Sequence, residues 1–176
     1  MKKLLALLCV ALALTVLLSS CGGAKSDENA PKGMIKASND NVDYVKYVPE
    51  AWKVDKSNVY TSAFVSSSDP TNVSATVFSA EKGTEVEDWW KGFYEDFKTL
   101  YSDVGEAKTE KAKLGKADAT KYSFKGTLNE IEYSYIIVAT MKGSTIYYVT
   151  YTSVGDAFDA HLEELDTILS NFAFEK

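Results

Sequence analysis

The chain has no arginine: all 19 of its basic residues are lysine. Bidentate clamps on phosphate or carboxylate, and arginine readout of guanine, are therefore not available to it. The formal charge is −6, and it becomes −8 once residues 1–20, which hold Lys2 and Lys3 and no acid, are set aside. An acidic surface repels a phosphate backbone, so nucleic acid is excluded as a partner. Histidine is nearly absent, with His161 alone, and cysteine is limited to Cys9 and Cys21. A zinc site would have to be built mostly from carboxylates, which is unusual. No Gly-x-Ser-x-Gly elbow and no glycine-rich phosphate loop occurs, and Asn39-Asp40-Asn41-Val42-Asp43 lacks the central Gly and terminal Glu of a calcium loop. The expectation is a protein that is not an enzyme and holds no cofactor and no metal.

What the chain does have begins at its amino terminus. Met1-Lys2-Lys3 is a short positive head, and residues 4–18 are apolar except for Thr15. As a helix that run reaches about 22 Å, short of the roughly 30 Å hydrocarbon core, so a secretory signal is expected rather than a permanent span. Leu18-Ser19-Ser20-Cys21 then gives an aliphatic residue, two small ones and a cysteine. This stretch resembles the lipobox of bacterial lipoproteins. The resemblance implies a diacylglyceryl thioether on Cys21, cleavage just before it, and further acylation of the new amino terminus, of the palmitate type. Two or more acyl chains hold a protein on a bilayer where one is marginal. Cys9 leaves with the signal, so Cys21 has no thiol partner, and neither a disulfide nor a CxxC site is expected. Residues 1–20 are thus expected to be signal peptide, with the lipidation site at Cys21. The address is the extracytoplasmic face of the cell membrane, and the membrane is a partner through the anchor.

Residues 21–42 are rich in Gly, Ala, Ser, Asn, Asp and Lys, with Met34 and Ile35 the strongly apolar exceptions. That composition predicts a flexible linker, and residues 43–176 are expected to form one domain. Most of the domain alternates with period two. Val59, Thr61, Ala63 and Val65 form one such run, and Val73, Ala75 and Val77 another, after a turn at residues 68–72. Residues 120–124, 130–141 and 145–152 continue the pattern, with hairpins expected at Gly126 to Asn129 and at Lys142-Gly143. Two segments switch to helical spacing. Thr84 with Glu87 suggests a capping box, and Val86, Trp89, Trp90, Phe93, Tyr94, Phe97, Leu100 and Tyr101 fall within about 140° of one wheel. A second helix is expected over residues 156–171, with a stripe of Phe158, Leu162, Leu165, Ile168, Leu169 and Phe172. The order β-β-β-α-β-β-β-β-α-β predicts an α+β fold, an antiparallel β-sheet flanked by two main helices.

This order resembles PsbP-like domains, including the DcrB-like bacterial branch. So do Tyr47-Val48-Pro49-Glu50-Ala51-Trp52, the aromatic first helix, the strand at residues 146–152 and the ending Ser170-Asn171-Phe172-Ala173-Phe174. The resemblance covers residues 43–176 and implies an α-β-α sandwich with a non-enzymatic accessory or binding role. Plant members assist photosystem II, in part through histidines and acidic groups near metal ions. With one histidine and no matching motif, neither metal nor photosynthetic function carries over.

As a catalytic base, His161 would need a nucleophile and an orienting acid nearby. At the rim of its helix stripe, a hydrogen-bonded histidine on a core boundary is the favoured reading. The pairs Glu87/Asp88, Glu95/Asp96 and Glu163/Glu164 are expected on solvated helix faces. The aromatics favour core packing, and Tyr133, Tyr135, Tyr147 and Tyr151 would form a binding surface only if they shared an open sheet face. The function expected is a membrane-anchored extracytoplasmic binding or accessory module with a protein partner in the cell envelope. The alternatives are a small-ligand-binding lipoprotein serving a transporter or sensor, marked by an apolar cleft ringed with tyrosines, and an envelope hydrolase.

Overall fold

The computed structural model describes residues 27–55 and 61–175. The expected signal peptide, Cys21, the start of the linker, and Val59 and Tyr60 lie outside the described residues. Among the described residues no helix is long and apolar enough to cross a membrane.

The α+β class expected from the sequence is what the chain forms. Short strands β1 (Met34–Lys36), β2 (Tyr44–Val45), β3 (Tyr47–Pro49), β4 (Lys53–Asp55) and β5 (Ser62–Phe64) come first. Strand β6 (Asn72–Ser79) leads to helix α1 (Val86–Leu100). The meander β7 (Lys108–Leu114), β8 (Ala117–Leu128), β9 (Ile131–Lys142) and β10 (Thr145–Ser153) follows. The chain closes with α2 (Ala157–Ala160), α3 (Leu162–Ser170) and β11 (Ala173–Phe174). Seven of the described strands form one antiparallel sheet in the order β4-β5-β6-β10-β9-β8-β7, while β1 pairs with β3 and β11 with β2.

Period two distributes the sheet between two cores. In β9, Tyr133, Tyr135, Ile137 and Ala139 join the α1 side, whereas Ile136 and Val138 join the other. Helix α1 brings Trp89, Trp90, Phe93 and Phe97 down onto its side, as its stripe predicts. Phe97 is fully buried and packs edge-on to Phe124 and Tyr135. The opposite face is covered by a mosaic of α2, α3, β1–β3 and β11.

Several expectations are corrected. Glu85 is the N-cap of α1 and no side chain caps it, so the Thr84–Glu87 capping box does not form. Leu100, within the expected stripe, is 47% exposed, whereas Tyr101 at its end is buried against Phe97. The second helix is broken at His161 into α2 and α3. Ordered structure begins within the expected linker: the apolar pair Met34 and Ile35 makes β1, and Ala37 is fully buried behind it. The turn between β8 and β9 lies at Asn129-Glu130, both with positive φ as a type I′ turn requires, and not at Gly126. Gly126 sits inside β8, where a Cβ would stand 3.0 Å from the Phe97 ring. Its lack of a side chain lets α1 approach.

The hairpins at Gly115-Lys116 and Gly143-Ser144 each place a positive-φ glycine first, as type II′ turns do. They differ in surroundings. A Cβ on Gly115 would lie 2.0 Å from the Phe172 carbonyl oxygen, while one on Gly143 meets nothing within 4 Å. Gly115→Ala is therefore expected to cost about 2–4 kcal/mol and Gly143→Ala about 1 kcal/mol. Urea unfolding of the two variants side by side checks this; equal losses would refute the docking of the β7–β8 turn under Phe172.

Candidate functional site

His161 lies between α2 and α3, at a backbone conformation (φ −118°, ψ 13°) that interrupts the helix. Its ring is held from both sides. Nδ1 is 2.5 Å from Glu164 Oε2 and Nε2 is 3.0 Å from Asp69 Oδ2. Trp52 donates its indole N–H to the same Glu164 oxygen at 3.1 Å and meets the imidazole edge-on. Asp69 also accepts the Thr71 amide. Burial opposes the charged ring, but the hydrogen bonds to Glu164 and then Asp69 outweigh it and raise the pKa above the ordinary histidine value. When protonated, the ring donates from both nitrogens and has no lone pair with which to act as a base. The residue is a hydrogen-bonded staple joining the α2–α3 junction, the β5–β6 loop and the β3–β4 turn, and its two carboxylate partners favour the charged ring.

The carboxylate pairs do not converge. Glu87 and Asp88 pair with Lys91, and Glu95 with Lys98, on the exposed face of α1. Glu164 alone turns inward, to His161 and Trp52. Among the described residues no group of acids, histidine or cysteine is arranged to hold a metal ion.

The tyrosines split between the two cores. Tyr133 and Tyr135 face α1, while Tyr147 and Tyr151 face the mosaic layer, and all four are buried. They pack within the two interfaces rather than on an open sheet face. Trp90 is likewise consumed in packing, stacked on Tyr122 with centroids 3.9 Å apart and on Tyr94 at 5.2 Å.

Two features carry polar chemistry that the sequence reading passed over. The first is Lys46, fully buried beside Tyr44 and Val48. Its Nζ donates to the backbone carbonyl of Thr61, and more weakly to that of Val73 at 3.4 Å. The Tyr44 hydroxyl shares a hydrogen bond with Thr61 Oγ1 and donates to the Ala75 carbonyl. No carboxylate supplies a counter-charge in these bonds, and burial pulls the lysine pKa down to about 7. The alternation Tyr44, Lys46, Val48 was the signal, since period two puts the lysine on the inward face.

The second is an open groove of about 380 Å³ between the first half of α1 and the β7–β8 edge. Trp90 and Tyr122 form its floor, and Glu87, Lys91, Thr109 and Lys111 its rim. Strand β7 is the last strand of the described sheet on this side.

No protein-family model matches the chain, and no curated protein sequence does either. Solved structures do match in shape, and they define the class first: the fold is PsbP-like. The cyanobacterial PsbP (CyanoP) of Synechocystis sp. PCC 6803 superposes with a TM-score of 0.58 at 16% identity, covering 89% of this chain and 98% of that one. LpqN, described as involved in cell envelope biogenesis of Mycobacterium tuberculosis, gives 0.55 at 9% identity, covering 81% and 91%. A Pseudomonas aeruginosa protein of unknown function, PA94, described as a putative regulator, gives 0.50 at 10% identity over 78% and 94%.

Two pH predictions follow from these geometries. The unfolded chain binds a proton at Lys46 that the fold rejects, so stability rises as pH increases above 7. Lys46→Met should stabilise the protein at about pH 6 and flatten that rise up to about pH 9.5, before tyrosines ionise. Thermal unfolding across this range decides it, and an unchanged slope in the variant would sink the assignment. For His161 the folded pKa lies above the unfolded one, so its contribution is complete below about pH 6.5 and is lost as pH rises through the folded value. The stability difference between the protein and His161→Ala should therefore be larger at about pH 6 than at about pH 9. A pH-independent difference would show that the ring is not a charged staple.

Proposed function

We propose that the chain is a lipid-anchored, extracytoplasmic binding or accessory module of the cell envelope, without catalytic activity of its own. The observation that carries this reading is Leu18-Ser19-Ser20-Cys21 at the end of a signal-like apolar run, ahead of a PsbP-like domain. The thiol needs no partner residue when a thioether is its fate, which accounts for a cysteine that has none. The structural likeness to LpqN, a protein described as involved in envelope biogenesis, supports the same compartment. His161 supports the non-enzymatic half, since its two nitrogens are committed to Asp69 and Glu164 rather than to a nucleophile. The protein partner would meet an exposed surface of the domain, because the interior is spent on ring packing.

The anchor is tested with Cys21→Ala in cells. The variant should run as an unprocessed precursor and fail to incorporate labelled palmitate, while the unaltered chain incorporates it and stays with membranes. Palmitate incorporation by the variant equal to that of the parent would overturn the assignment.

A further inference from the structure

The β7–β8 hairpin is charged against the rest of the molecule. Between Lys108 and Lys125 it holds six lysines and two acids, in a chain whose formal charge is −6. Three of those lysines, Lys108, Lys111 and Lys113, stand on the last strand of the sheet, and Lys111 and Lys113 fall with Thr109 at every second position.

Register shows what this edge offers. Leu114 and Ala117 close a two-residue hairpin and so form a hydrogen-bonded pair. Counting back, Ala112, Glu110 and Lys108 also bond to β8, and the backbone N–H and C=O groups of Lys113, Lys111 and Thr109 point outward. Among the described residues none of the three finds a backbone partner outside the sheet. The same three residues send their side chains to the α1 side, where Thr109 and Lys111 line the groove. Lys113 meets Asp118 in a solvent-exposed pair, and Lys111 forms no salt bridge among the described residues. Donors, acceptors and positive charge therefore lie along one free edge in one register.

We propose that the β7 edge is a docking site for an acidic extended peptide segment of an envelope protein, which adds to the sheet as an eighth strand. Main-chain bonds to Thr109, Lys111 and Lys113 give the affinity, and acidic side chains at alternate positions meet Lys111 and Lys113 beside the groove. A second copy of this chain is disfavoured, because antiparallel pairing would set Lys111 and Lys113 against the same lysines. An anionic membrane accounts for the lysines and leaves the aligned backbone groups without a role. This inference rests on the reading of the domain as a binding module and names the class of its partner.

The test uses the folded chain and a probe peptide of about ten residues alternating Glu with Thr and Val. Hydrogen exchange followed by NMR should slow about tenfold or more at the amides of Thr109, Lys111 and Lys113, with little change at Lys108, Glu110 and Ala112, which β8 already protects. Binding should weaken with added salt, and Lys111→Glu with Lys113→Glu should reduce it about tenfold while a Lys-for-Glu probe regains it. Both positions are solvent-exposed, so the fold should survive, and circular dichroism checks this. Three results would overturn the proposal: no binding of the probe, binding without the alternating protection, or lysine-dependent binding of phosphatidylglycerol vesicles alone. If the probe fails while crosslinking from another face captures an envelope protein, the broader reading stands and only this edge is lost.

Discussion

Strand β10 and the central part of β9 are buried on both faces, and that two-sided burial governs the rest of the architecture. A sheet whose central strands must be dry above and below needs a layer on each side. On one side the chain supplies a single element, α1, whose aromatic ridge matches the aromatic face of β8, β9 and β10. On the other side no element of comparable length exists. The cover is assembled from α2, α3, the β1–β3 pair and the β2–β11 pair, each too short to stand alone. The short elements at the two ends of the sequence are ordered by this demand.

A patched cover has seams, and the polar groups of the interior lie along them. Lys46 and Tyr44 sit where β2 and β3 pass over the start of β6, bonding to main-chain carbonyls at Thr61, Val73 and Ala75. His161, Asp69, Glu164 and Trp52 mark another seam, where the helix break meets two loops. Tyr147 closes a third, donating to Asp43 from a position that burial, and then that bond, push up to about 12 in pKa. In each case a polar side chain satisfies backbone or carboxylate groups that a continuous helix would have kept out of the interior. The buried titratable side chains of the domain serve these seams.

Regular elements were legible in the sequence because their pattern and their burial agree. The α1 stripe as far as Phe97, the alternation in β8 and β9, and the inward Val73 and Ala75 of β6 follow from spacing. Val77, by contrast, is exposed, and the hairpin expected at Lys142-Gly143 turns at Gly143-Ser144. The failures have particular causes. Asn129-Glu130 carries a type I′ turn although glutamate is a poor residue for positive φ, so the glycine three residues earlier drew the turn to itself. Met34 and Ile35 were outweighed by the polar composition around them, and only pairing with β3 gives them a structure. The break at His161 depends on Asp69, distant in sequence, which no helical wheel can show. The outward edge of β7 has no signature in the sequence, because which backbone groups point outward depends on the register of the hairpin.

The pairing of β11 with β2 has a topological consequence. The Glu175 amide bonds to the Asp43 carbonyl, so β11 is tied to the segment that opens β2. The mosaic layer is therefore complete only once the last described strand has met one of the first, so the contact that closes it is long-range in sequence. The far ends of the described chain share one layer that neither could build alone.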